Sequence, residues 1–155
     1  MTVSVFIIED NATKRLELER ALPAPFDYDV VHTPSISQAY QILSGKSWDL
    51  IILDMTFQVS FGAGNSIEKE ALAGIEILQY MNRRKISSPV IVATQHSTFI
   101  TRDYPPINSI SALDEVLRRL FYRNYRATVL VDLSEESWKI RLRDAVLDVL
   151  GSEAR

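Results

Sequence analysis

A chain of 155 residues, 46% apolar and 24% charged, with a net charge of −3 and a pI near 5.4, is sized for one covered core and carries no overall basic footprint for nucleic acid. It has no cysteine, which removes structural disulfides, thiolate metal sites and cysteine nucleophiles together. The opening MTVSVFIIEDN is too short in its apolar part, and too quickly acidic, for a signal peptide or a membrane span, so a cytoplasmic protein with no membrane partner is expected.

Apolar β-branched runs alternate with segments of helical period, the pattern of a parallel sheet covered by helices on both faces. VSVFII (3–8) predicts a first strand. NATKRLELERAL (11–22) follows as a helix, with Leu16, Leu18 and Leu22 partly in register and Pro23 and Pro25 ending it. YDVVH (28–32) is a second strand. SISQAYQILSG (35–45) is a second helix, with Ser35 as N-cap, Ile36, Ala39, Tyr40 and Leu43 as its apolar face, and Gly45 as its stop.

LIIL (50–53) predicts the third strand, and ALAGIEILQYMNRR (71–84) a third helix with Leu72, Ile75, Leu78 and Met81 on one side. Its arginines fall in the last turn, where the helix dipole favours cations. PVIVAT (89–94) is the fourth strand, and SALDEVLRRLFYRN (111–124) a helix striped by Leu113, Val116, Leu117, Leu120 and Phe121. ATVLVDL (127–133) is the fifth strand, and SEESWKIRLRDAVLDVL (134–150) the closing helix, with Ser134 as N-cap. The expectation is one domain over residues 1–151 with a polar tail at 152–155.

In open parallel sheets the functional crevice lies beyond the carboxyl ends of the strands. The residues there are Glu9, Asp10 and Asn11 after strand one, Thr33 after strand two, Asp54 after strand three, Thr94 and His96 after strand four, and Asp132 near the end of strand five. Glu9, Asp10 and Asp54 converge from two neighbouring strands. Carboxylates held that close repel one another unless a cation sits among them, and a hard divalent ion with oxygen ligands, most simply Mg²⁺, suits the group.

At these residues the chain resembles the receiver domain of bacterial response regulators. VFIIEDNATKRLELERAL is similar to that family's first strand, acidic pair and first helix, and AYQILSGKSWDLIILDM to its second helix and phosphoacceptor strand. AGIEILQYM is similar to the start of its third helix, and PVIVAT to the strand that delivers a hydroxyl residue. The resemblance spans residues 1 to about 95, and beyond that only the order of strands and helices supports it.

The resemblance implies a flavodoxin-like (βα)5 fold, a doubly wound parallel sheet with strand order 2-1-3-4-5. It implies that Asp54 accepts a phosphoryl group, that Glu9, Asp10 and the backbone carbonyl of Thr56 join Asp54 in holding Mg²⁺, and that the Thr94 hydroxyl senses the phosphoryl group once formed. The implied partners are a histidine kinase or phosphotransfer protein, a downstream protein target, and a second copy docking through the fourth and fifth helices. Enzymatic activity beyond self-phosphorylation and dephosphorylation at Asp54 is not implied.

Three features depart from the family pattern. The family's lysine at the end of strand five has no counterpart in TVLVDLSEES, where Asp132 would repel phosphate. The segment from Asp54 to Gly74 is about a dozen residues longer than usual and lacks the proline that normally follows the acceptor. QHSTFITRDYPPINSI separates strand four from its helix.

FGAGNS (61–66) fits neither dinucleotide nor P-loop spacing and reads as a mobile loop, His96 as a solvated residue, and Arg118, Arg119, Arg123 and Arg126 as part of a protein-interaction face. Three rivals stand beside the receiver reading. One is a phosphorylation-independent pseudo-receiver that binds a fixed protein partner. Another is a Mg²⁺-dependent phosphatase or phosphotransferase with Asp54 as nucleophile, which would want a second acid where Thr56 stands. The third is a flavodoxin, whose phosphate loop Glu9 and Asp10 would oppose.

Overall fold

The computed structural model describes residues 2–61, 66–70, 73–98 and 107–153. Its elements run β1 (Thr2–Ile8), α1 (Ala12–Arg20), β2 (Asp27–Thr33), α2 (Ile36–Gly45), β3 (Leu50–Leu53), β4 (Phe57–Phe61), β5 (Ser66–Glu70), α3 (Ala73–Arg83), β6 (Val90–Thr94), α4 (Ile110–Leu120), β7 (Tyr125–Leu130) and α5 (Ser137–Glu153). Five strands form one parallel sheet in the order β2-β1-β3-β6-β7. This is the expected 2-1-3-4-5 winding, with β4 and β5 set apart as an antiparallel pair.

The strands alternate their side chains between two cores. Phe6 and Ile8 of β1 face Ala39 and Leu43 of α2, Ile77, Leu78 and Met81 of α3, and Leu113 and Leu117 of α4. Val3, Val5 and Ile7 face the other way, toward Leu18 of α1 and Trp138, Leu142 and Val146 of α5. β3 and β6 are buried along their whole length, as strands covered on both faces must be. Each fully buried Leu, Ile or Phe contributes about 1.5–3 kcal/mol relative to exposure, so packing against the sheet, more than helix propensity, holds the helices in place.

Side-chain caps start three of the helices. Asn11 accepts from the Lys14 N–H, Ser35 from the Gln38 N–H, and Ser109 from the Ala112 N–H. Among the described residues no helix is long and apolar enough to cross a membrane.

Several expectations need correction. The segment after Asp54 contains the β4–β5 hairpin rather than a plain loop; residues 62–65 of FGAGNS, and Leu72 of the expected third-helix stripe, lie outside the described residues, as do residues 99–106 of the segment before α4. The fourth helix stops at Leu120, because residues 121–124 turn back and the Asn124 N–H bonds the Phe121 carbonyl at 3.1 Å. The last sheet strand accordingly begins at Tyr125 and ends at Leu130. Ser134 does not cap α5: its N–H and hydroxyl both donate to Asp132 Oδ1, making a tight turn three residues ahead of the helix.

Candidate functional site

Strand pairing brings the acidic residues together. Ile8 of β1 pairs with Leu53 of β3, and the Asp54 N–H extends that ladder to the Ile8 carbonyl at 3.1 Å. The chain therefore leaves β1 at Glu9 beside the point where it leaves β3 at Asp54. On the other side of β3, Leu53 pairs with Val92, which sets Ala93 and Thr94 next to the same edge. One ligand oxygen from each of Glu9, Asp10 and Asp54 falls within a span of 4.8 Å. Glu9 is 1% and Asp54 3% exposed, while Asp10 is half-buried.

A lysine stands among these acids. The Lys14 ammonium lies 2.6 Å from Glu9 Oε2 and 3.3 Å from Asp54 Oδ1, and donates a hydrogen bond to the Ala93 carbonyl at 2.7 Å. The side chain is 1% exposed. It reaches the site because α1 buries a narrow stripe, Lys14, Leu18 and Ala21, spaced as one helical face. Leu18 and Ala21 meet the sheet's core, and Lys14, one turn nearer the strand ends, meets the carboxylates. A buried ion that loses its partner costs about 3–5 kcal/mol, so this arrangement binds α1 to β1 and β3 through charge as well as through packing.

The local electrostatics follow from burial. The Glu9 carboxyl is pushed up to about 7 on balance: desolvation by burial raises it most, Lys14 pulls it down, Asp54 pushes it up, and the Asn11 N–H, which donates to Glu9 Oε1 at 3.0 Å, favours the ionised form. Asp54 and Glu9 thus share one ammonium at a dry strand end.

The other strand-end residues take different places. Thr94 is fully buried at the end of β6, and its hydroxyl accepts from the His96 N–H at 3.2 Å. Thr56 is 5% exposed, two residues beyond Asp54. Thr33 is buried and its hydroxyl donates to Gln38 Oε1 of α2 at 2.8 Å. His96 is exposed. Asp132 is exposed as well, and hydrogen bonds from the Ser134 hydroxyl and N–H hold its carboxyl below the ordinary carboxylate range. It belongs to the turn before α5, and among the described residues the acidic cluster comprises Glu9, Asp10 and Asp54 alone.

Lys14 is the residue that sequence reasoning passed over. The fold supplies what the residue type does not: one turn back from Leu18 along the buried stripe stands a cation, and the strand ends opposite it carry three acids.

The donor set fits a hard divalent ion in kind, since three carboxylates from two adjacent strand ends offer oxygen ligands within one short span. The same carboxylates already carry an ammonium at ion-pair distance.

The fold is that of response-regulator receiver domains. The signal receiver domain of a two-component histidine kinase from Clostridium thermocellum superposes with a TM-score of 0.62, covering 96% of this chain and 97% of that one at 19% identity. Among curated sequences, the Detocs response regulatory protein DtcB of Enterobacter cloacae is 28% identical over 145 residues, 90% of this chain and 95% of that protein. The uncharacterized protein y4jR of Sinorhizobium fredii is 26% identical over 151 residues, 95% of this chain and 99% of that protein. No family model matches the chain.

Proposed function

We propose that this chain is a signalling receiver that accepts a phosphoryl group on Asp54 and signals through contact with another protein. The observation that carries the reading is the position of Asp54, nearly buried at the end of β3 within 4.8 Å of ligand oxygens of Glu9 and Asp10, on a receiver fold. The resemblance of nearly the whole chain to a protein named as a response regulatory protein supports it.

In this reading an Asp54 carboxylate oxygen attacks the phosphorus of a phosphohistidine on a kinase or phosphotransfer protein. The new P–O bond makes an acyl phosphate, the P–N bond breaks, and the imidazole leaves with the electron pair. Glu9, Asp10, Asp54 and the backbone carbonyl of Thr56 are the groups that would hold Mg²⁺, which when bound neutralises phosphoryl oxygens during transfer. Burial of Asp54 keeps competing water from the nucleophile. In the same reading the Thr94 hydroxyl, at the end of the next strand, turns the hydrogen it donates to the His96 carbonyl at 3.5 Å toward a phosphoryl oxygen, shifting the segment that follows β6.

Output by contact has exposed apolar surface to draw on. Leu120 at the end of α4, Tyr122 just beyond it, and Ile140 and Leu147 on α5 are 39%, 69%, 60% and 40% exposed, and a downstream protein or a second copy of the chain would dock there.

A second reading has one observation in its favour. Lys14 already pairs with both Glu9 and Asp54, as it would in a pseudo-receiver that binds its partner without being phosphorylated.

Intact mass after incubation with a small-molecule phosphodonor, with and without Mg²⁺, separates the two. A Mg²⁺-dependent phosphoryl adduct on the wild-type chain that is lost in Asp54→Ala is the expected result. If no adduct forms while the protein is folded and Mg²⁺ is bound, the receiver reading gives way to the pseudo-receiver.

A further inference from the structure

We propose that Lys14 is a tethered cation that competes with divalent metal for Glu9 and Asp54, so that the ammonium must withdraw for an ion to bind. The inference rests on the reading of Glu9, Asp10 and Asp54 as a metal-binding cluster, and it does not require that Asp54 be phosphorylated.

The position of Lys14 makes physical sense only through its acidic neighbours. The residue lies three positions after the N-cap Asn11, in the turn where the helix dipole disfavours a positive charge. Its side chain is 1% exposed, so the ammonium has also lost its water. Against both penalties stand two carboxylates, at 2.6 Å and 3.3 Å, and one hydrogen bond to the Ala93 carbonyl. With these partners the ammonium occupies the electrostatic position that the acids would otherwise offer to a free cation.

The contacts also suggest how the exchange proceeds. The tighter carboxylate contact is to Glu9 and the longer one to Asp54, so of the two the ammonium lets go of Asp54 first. The Ala93 carbonyl belongs to neither acid and can hold the ammonium while the carboxylates turn to metal. Lysine is suited to this exchange, because its point charge sits on a flexible stem and its hydrogen bonds are not fixed in a plane.

The chemistry predicts a trade between the two cations. With the ammonium removed, Glu9 and Asp54 lose the counter-charge that Lys14 supplies, and the cluster takes a divalent ion more tightly. With the ammonium present, the fold holds without metal and metal binding is weak.

The test is Mn²⁺ and Mg²⁺ titration of the full chain and of Lys14→Met by calorimetry, with thermal unfolding in chelator and in each metal. Lys14→Met is expected to bind Mn²⁺ at least about tenfold more tightly than wild type, and to lose stability in chelator that either metal restores. The wild-type melting temperature should respond much less to the same additions.

A folded Lys14→Met chain that binds Mn²⁺ no more tightly than wild type overturns the proposal. Should that variant not yield folded protein, the wild-type chain carries the test through the ¹⁵N-labelled Lys14 ammonium, whose magnetic resonance signal is expected to shift or broaden as Mg²⁺ is added. A signal unmoved at tens of millimolar Mg²⁺ overturns the proposal equally. Tighter Mn²⁺ binding in Lys14→Met without any phosphoryl adduct on the wild type would leave this inference standing and remove only the receiver reading; an adduct with unchanged Mn²⁺ affinity would do the reverse.

Discussion

Gly74 donates its backbone N–H to the carbonyl of Met55 at 3.0 Å, which seats the first turn of α3 directly on the chain leaving Asp54. A Cβ at Gly74 would stand 2.6 Å from the Asp54 carbonyl oxygen and 3.0 Å from Met55 Cα. Met55 Cε, at 2.5 Å, can swing aside, but the backbone atoms cannot. Gly74→Ala should therefore push α3 away from the acceptor strand and cost about 1–3 kcal/mol of unfolding free energy. Urea denaturation checks it, and an unchanged midpoint with unchanged slope would show that this approach is not tight.

Asn124 ties the entry of β6 to the entry of β7. Its side-chain amide donates to the Ile86 carbonyl at 2.6 Å and to the Ser88 carbonyl at 3.0 Å, its own carbonyl accepts from the Val90 N–H, and it is 2% exposed. Asn124→Ala should cost about 2 kcal/mol, since buried acceptors lose their donor. Asn124→Asp should cost more, because a carboxylate would face two carbonyls with nothing to donate. If aspartate is tolerated better than alanine in thermal melts, the two carbonyls are not what the side chain serves.

Part of the acid sensitivity should trace to Asp114 on α4. Burial raises its carboxyl, but hydrogen bonds from the Tyr125 hydroxyl and the Arg118 guanidinium outweigh that and hold it below the ordinary carboxylate range. A depressed native pKa means the unfolded chain binds the proton more readily, so this stability is present above the unfolded carboxylate range and is lost as pH falls through the native value. Tyr125→Phe removes one of the bonds. The wild type should exceed it in stability by about 1 kcal/mol at neutral pH, after allowing for solvent screening at half-exposed Asp114, and by less near pH 2. Denaturation at the two pH values reads the difference, and a gap that does not narrow in acid would contradict the assignment.

The sheet was legible from its apolar runs because buried parallel strands leave no other sequence pattern so plain, and LIIL and VIVAT are buried throughout in the fold. Glu9, Asp10 and Asp54 were legible as a group because strand ends in such a sheet share one edge. Lys14 was not, since a lysine in a helix is ordinarily solvated and only tertiary placement opposite three acids accounts for its burial. The β4–β5 hairpin is less plain, although Phe57, Val59 and Phe61 alternate with polar residues and a glycine-containing stretch follows, because five residues of alternation beside a long polar segment are also compatible with a loop. At Ser134 the N-cap signal was real in residue type, but Asp132 stood two positions back and drew the serine into a turn of its own.

The hairpin also bears on how this architecture accommodates change. β4 and β5 pair with each other and, among the described residues, with no strand of the main sheet, while the bond from Gly74 to Met55 joins the two ends of the excursion. The winding of the sheet is thus indifferent to what lies between those ends, as a loop of thread pulled from a seam leaves the stitches on either side in place. Doubling the length of a connection between fixed ends costs only about 0.6 kcal/mol in closure entropy. The chain can therefore vary, lengthen or replace the one segment that leaves directly from Asp54, and so refit the neighbourhood of its acidic cluster, without rebuilding the strands that hold the acids together.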